Sequence, residues 1–139
     1  MIVSKPRVVI VCGGLFQVPA VQAAHELGLM VTLTDADHKC VARTALSPDG
    51  DTFHPISTYD VNGHIFLADR MLKAKENVVG VFTCGADVEV TVAAMAKRLG
   101  VGGIPFDAAM NCNDKIRMRR RMDEGGVRNI RWVAVPPAA

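Results

Sequence analysis

The sequence predicts an α/β fold, a Rossmann-like three-layer α/β/α arrangement with a doubly wound, mainly parallel sheet. Three observations carry that prediction. Residues 7–12 (RVVIVC) and 78–84 (VVGVFTC) are short, continuous, β-branched runs, the signature of strands covered on both faces. Each run gives way within a few residues to helical periodicity. Strand, turn, helix and second strand then fit within residues 7–34, the spacing of a β-α-β unit.

The elements follow in order. Gly13-Gly14 ends the first strand. Pro19 suits the first turn of the next helix, where its missing N–H would have been unpaired. Ala20, Ala23, Ala24 and Leu27 are expected on its buried face, and Gly28 is the expected stop. Residues 30–34 (MVTLT) form a second strand that ends at Asp35. The stretch from Asp37 to Asp60 is the least regular, with a turn at Ser47-Pro48-Asp49-Gly50 and a short edge strand at 52–56 (TFHPI), where Pro55 is tolerable. Asn62 or Asp60 caps a helix running to about Lys75, with Ile65, Ala68, Met71 and Leu72 as its apolar stripe.

The run at 78–84 reads as the most clearly buried strand. A helix follows, capped by Asp87, with Val88, Val92, Met95 and Leu99 at helical spacing and Gly100 closing it. Beyond Gly102-Gly103-Ile104-Pro105 the pattern changes to two short helices, at 106–112 and 114–124, ended by Gly125-Gly126. Residues 129–135 (NIRWVAV) begin a further strand that Pro136-Pro137 stops. The division expected is therefore 1–105 for the α/β domain and 106–139 for a helical linker and the start of a following domain.

Composition narrows the function classes. With 139 residues, half of them hydrophobic and 22% charged, the chain can bury one real core. A net charge of +2 and 5% aromatic residues give no support for nucleic acid as a partner. No apolar run reaches membrane-spanning length and no signal peptide opens the chain, so no membrane is expected and the cytoplasm is the expected compartment. Cys12, Cys40, Cys84 and Cys112 lack metal-ligand spacing, which predicts reduced, mostly buried thiols and no metal site. The four histidines show no i, i+4 pair and read as surface or turn residues.

In an open parallel sheet, ligands gather beyond the carboxyl ends of the strands. Those ends carry Gly13-Gly14, Asp35 and the segment 84–89 (CGADVE). The two glycines either admit a ligand close to the backbone or only permit a tight turn. Asp35 lies where an acid would hold the ribose of a nicotinamide cofactor. The glycine fingerprint fails, however, because Cys12 and Gln17 occupy its outer positions. Asp87 and Glu89 sit in a helix's first turn, where the dipole alone stabilises acids; a substrate contact for Glu89 is the competing reading. Most of the cations crowding residues 115–121 read as a solvated helix face. Lys115 stands apart: Asn113-Asp114 before it reads as a cap and puts the lysine in the first turn, where it opposes the dipole, so its ammonium can serve phosphate instead. No P-loop or nucleophile elbow is present, and no residue is assigned a catalytic role.

In order, VVIVCGGLFQVPAVQAAHELG (8–28), TDAD (34–37), VVGVFTCGADVEVTVAAMAKRLG (78–100), GGIPFDAA (102–109) and NDKIRMRRRMDEGGV (113–127) resemble the N-terminal, pre-ATP-grasp domain of ATP-grasp ligases. Biotin carboxylases, carbamoyl phosphate synthetase large chains and the ATPase subunit of phosphoribosylaminoimidazole carboxylase are of this kind. The resemblance implies an ADP-forming enzyme that activates a small carboxylate as an acyl phosphate for attack by an amine, with ATP and Mg²⁺ as cofactors. It implies substrate contacts at Gly13, Gly14, Leu15 and Glu89, and a nucleotide-phosphate contact at Lys115. The lid, adenine pocket and magnesium ligands of such an enzyme would follow Val135. They are therefore expected in polypeptide beyond Ala139 or in a separate chain, with no catalysis by these residues alone. A homodimer is compatible with this reading. Its alternatives are a stand-alone small-molecule-binding or regulatory module and an NAD(P)-binding domain.

Overall fold

The computed structural model describes residues 5–135. Its elements are β1 (Arg7–Val11), α1 (Gln17–Glu26), β2 (Met30–Asp35), a 3-10 turn (Val41–Ala45), β3 (Thr52–Pro55), α2 (Val61–Lys73), β4 (Val78–Phe82), α3 (Glu89–Leu99), α4 (Phe106–Asn113) and α5 (Lys115–Glu124). The four strands form one sheet in the order β3-β2-β1-β4, and every pairing is parallel. This is the predicted fold. The chain winds outward from β1 to β3 and then crosses to β4 on the other side of β1. The strand order therefore reverses between β1 and β4.

The alternation of a strand's side chains divides the core. Val9, Val11 and Val81 face α2 and α3, meeting Leu67, Met71 and Met95. Val8, Ile10, Val31 and Leu33 face the opposite layer, meeting Val21 of α1 and Ala42 of the 3-10 turn. β1 is buried along its whole length, as a central parallel strand should be. Its first residue, Arg7, is only 7% exposed. The Arg7 guanidinium donates to Val31 O (3.1 Å), Thr32 Oγ1 (2.9 Å) and Gly50 O (2.8 Å), and Nε lies 2.9 Å from Glu76.

Several expectations need correction. β4 is an edge strand, not the most buried one: only Val81 is buried, and Val79, where the register with β1 shifts, is 49% exposed. α1 turns Gln17, Val21 and Ala24 inward, leaving Ala23 and Leu27 in solvent. α2 likewise buries His64, Leu67, Ala68 and Met71 in place of Ile65 and Leu72. α3 begins at Glu89 behind Val88, and Asp87 makes no cap. Residues 127–135 form no strand. They run back over α5, where Asp123 accepts from Asn129 Nδ2 (2.8 Å) and Trp132 Nε1 (2.9 Å). These two bonds, with the nearby Arg119, hold the Asp123 carboxyl below its usual range.

Other expectations hold. Asp60 caps α2 through Gly63 N, Asp114 caps α5 through Ile116 N and Arg117 N, and β3 is the edge strand that Pro55 ends. Gly28 and Gly100 close their helices with positive φ. No disulfide joins the four thiols, but only Cys40 is buried and Cys112 is exposed. No helix among the described residues is long and apolar enough to cross a membrane.

Candidate functional site at the strand-order reversal

The crevice lies beyond the carboxyl ends of β1 and β4, the place where doubly wound sheets take ligands. One wall is the β1–α1 turn, residues 12–16. Gly13 is built into it from both sides: its N–H donates to Asp35 Oδ2 (2.7 Å) and its carbonyl accepts from Ala42 N (2.9 Å). A Cβ at Gly13 would lie 2.3 Å from Cys40 Sγ, so only glycine fits. The preceding Cys12 holds a φ of 83°, an unusual left-handed value for a residue with a side chain. Leu15 and Phe16 project from the turn, each 69% exposed.

The other wall is the β4–α3 turn. Thr83 Oγ1 and Glu89 Oε2 are both withdrawn from solvent there, and neither has a hydrogen-bond partner among the described residues. Such groups cost stability unless something pairs with them, and they concentrate at functional sites. Glu89 stands in the first turn of α3, where the helix dipole favours its charge.

Gln17 ties the walls together. It is 1% exposed and donates from Nε2 to Cys84 O at 2.6 Å, while the Phe16 ring lies over Gly85. Sequence reasoning missed Gln17, although the signal was present: a polar residue four positions before Val21 on the face that α1 buries. Thr83 was missed too, because nothing in a sequence distinguishes an orphaned hydroxyl from a satisfied one.

Lys115 belongs to a third element. It is exposed at the start of α5, and Asn113 Nδ2 reaches Asp87 O at 3.5 Å, placing the α4–α5 junction beside the β4–α3 turn. Gly13, Gly14 and Leu15 thus share one wall, Glu89 follows the facing turn, and Lys115 lies two residues beyond the Asn113 contact. Asp35 is committed elsewhere, because its carboxylate accepts from both Gly13 N and Asp37 N (2.9 Å). It is a latch between the first two strand ends, which weakens the ribose reading of that acid. Among the described residues, no three His, Cys, Asp or Glu side chains converge as a metal site.

One histidine departs from expectation. His64 is fully buried, between Asp60 O (2.8 Å from Nδ1) and Thr34 Oγ1 (2.9 Å from Nε2). Burial holds its ring below the ordinary histidine range, against a smaller opposing pull from Asp60.

Fold and crevice together define a doubly wound, Rossmann-like parallel α/β domain. Solved structures with this fold include the L-amino acid ligase of Bacillus licheniformis, at 19% identity and a TM-score of 0.67, with 98% of this chain matching 36% of that one. N5-carboxyaminoimidazole synthetase of Staphylococcus aureus, solved with ADP, is matched at 13% identity and a TM-score of 0.62 over 88% of this chain and 30% of that one. The biotin carboxylase domain of the Hydrogenobacter thermophilus 2-oxoglutarate carboxylase, a dimer solved with MgADP and bicarbonate, is matched at 17% and 0.58 over 88% and 28%. The chain spans about a third of the length of these proteins, and at such identities the likeness is one of fold. No family model and no curated protein matches the chain in sequence.

Proposed function

We propose that this chain is the substrate-side domain of an ATP-dependent, ADP-forming carboxylate–amine ligase of the ATP-grasp kind. The observation that carries the reading is the pair of orphaned polar atoms, Thr83 Oγ1 and Glu89 Oε2, at the strand-order reversal of a fold shared with three ATP-grasp enzymes. The crevice takes a small carboxylate substrate. Gly14 and Leu15 border it, Gly13 holds their turn in place, and Glu89 orients the substrate's polar groups. Lys115 offers its ammonium to nucleotide phosphate from the rim, as a point charge.

In such a ligase, ATP and Mg²⁺ supply the phosphoryl group and the charge neutralisation that acyl-phosphate formation needs. The described residues do not fit the magnesium site, since no group of metal-ligating side chains converges among them. These residues bind and orient; the ATP-grasp subdomains, in the same polypeptide or a separate chain, carry the transfer. A homodimer accords with the dimeric carboxylase domain of the same fold.

The test uses a protein that unites this chain with the ATP-grasp subdomains, assayed for ADP release against a panel of carboxylates and amines. Lys115→Ala should raise the Michaelis constant for ATP about tenfold, the scale of one charge-assisted contact, and leave the fold intact. Glu89→Gln should instead raise that of the carboxylate. An unchanged ATP dependence in the first variant would remove Lys115 from the phosphate site. No carboxylate-dependent ADP release from the wild-type protein would refute the ligase reading.

A further inference from the structure

A second cavity, of about 320 Å³, lies at the opposite end of the sheet from the crevice, a strand's length away. Its walls come from the amino ends of β1, β2 and β3 and from the last turn of α2. The charged or titratable residues Lys5, Arg7, His54, Arg70 and Glu76 line it, together with Thr32 and Thr52. The structure assigns this cavity as a binding site for a phosphate monoester, held by Arg70, Lys5 and His54 over the buried Arg7.

Charge, size and unspent bonding capacity each point the same way. Three cations face a single carboxylate, which leaves two net positive charges when His54 is neutral. That balance suits a phosphate monoester, whose charge is about −1.5 to −2 at neutral pH. The volume exceeds what a bare ion needs and falls at the lower end of small-molecule sites, roughly 300–1,000 Å³. Arg7 is largely consumed by the sheet: its Nη1 and Nη2 groups already serve Val31, Thr32 and Gly50, which leaves only Nε to face an oxyanion. Arg70, Lys5 and the His54 ring make no hydrogen bond or ion pair among the described residues, and they remain available to a ligand.

Glu76 shows that the floor accepts an oxyanion. Its Oε2 lies 2.9 Å from Arg7 Nε, yet Nε lacks an aligned hydrogen bond, and the carboxylate is about one-third exposed. It is a loosely held internal competitor. The His54 ring senses the same field: burial lowers its pKa first, Arg70 and Arg7 lower it further, and Glu76 opposes them. A bound dianion would offset the positive charge that the ring experiences and raise its titration midpoint.

The experiment follows the His54 ring by NMR through a pH titration of the chain. It is run with inorganic phosphate, with glycerol 3-phosphate, and with acetate at matched ionic strength. Both phosphates should raise the His54 midpoint, and acetate should leave it in place. A larger effect of the monoester supports the assignment as stated, whereas inorganic phosphate binding as tightly as the ester would refute the ester. Arg70→Gln, on an exposed helix position, should weaken phosphate binding about tenfold or more, and Lys5→Gln less. Glu76→Gln should tighten it. Lys115→Ala, at the crevice, should leave it unchanged. Phosphate binding lost in Lys115→Ala but kept in Arg70→Gln would place the anion in the crevice and overturn the assignment. A His54 midpoint indifferent to either phosphate would overturn it too.

Discussion

Gly13 shows how little freedom the crevice wall has. A methyl group there would overlap Cys40 Sγ at 2.3 Å and Cys40 Cβ at 2.8 Å, and neither atom belongs to a long, flexible side chain that could swing aside. Gly13→Ala should therefore cost about 1–3 kcal/mol, the usual range for overpacking, measured as a lower urea midpoint at unchanged slope. Thr83 is the opposite case. Its hydroxyl is buried without a partner, so the isosteric Thr83→Val should stabilise the free protein by about 1 kcal/mol. A loss of stability would show that the hydroxyl is satisfied in solution and would remove half of the evidence for a ligand at the crevice. Both effects turn on single atoms, which is why the sequence leaves Gly13 open between a ligand contact and a turn glycine and does not mark Thr83 at all.

Among the elements, those legible in the sequence were the ones whose burial is one-dimensional. β1 is covered on both faces and reads as an unbroken apolar run, the Asp114 cap reads from residue type, and Asp60 is one of two capping residues that the sequence offers for α2. Helix faces were harder. α1 and α2 each bury a polar residue, Gln17 and His64, and a search for apolar stripes rotates away from such positions. β4 has the composition of a central strand but lies at an edge, because strand order is set by crossover and not by local pattern. The candidate site was legible as a place, the strand ends, and less so as a set of residues: Gln17 was overlooked and Thr83 was invisible, while Glu89 was neither. α5 yields a prediction at this scale. It buries no residue fully, so its first turn depends on the Asp114 cap, which serves both Ile116 N and Arg117 N. Asp114→Ala should cost that helix about 1 kcal/mol. Hydrogen exchange should accelerate across residues 115–124 and stay unchanged in β1 and β2. Equal acceleration in the sheet would mean that α5 folds as one unit with the core.

For the molecule as a whole, His64 links folding to pH. Asp60 O can only accept, so Nδ1 carries the ring proton, and Nε2 is left to accept from the Thr34 hydroxyl. The neutral ring satisfies both bonds in a site with no solvent contact. A second proton would force the Thr34 hydroxyl to turn from donor to acceptor, and it would place a charge between α2 and the sheet. The folded-state pKa is accordingly lowered from 6.5, chiefly by burial. Below 6.5 the unfolded chain takes up this proton more readily than the folded one, so the stabilisation is fully present above that value and is lost as pH falls through the folded pKa. The half-buried His54 is shifted in the same direction and adds to the slope. Unfolding free energy measured in urea should thus be level from pH 8 to about 7 and decline toward pH 5, before most exposed carboxylates titrate. His64→Gln should lower stability at pH 7.5, because the amide cannot keep both ring contacts, and should flatten the decline between pH 6.5 and 5. An equally steep decline in that variant would assign the proton uptake to other groups and leave His64 as packing alone.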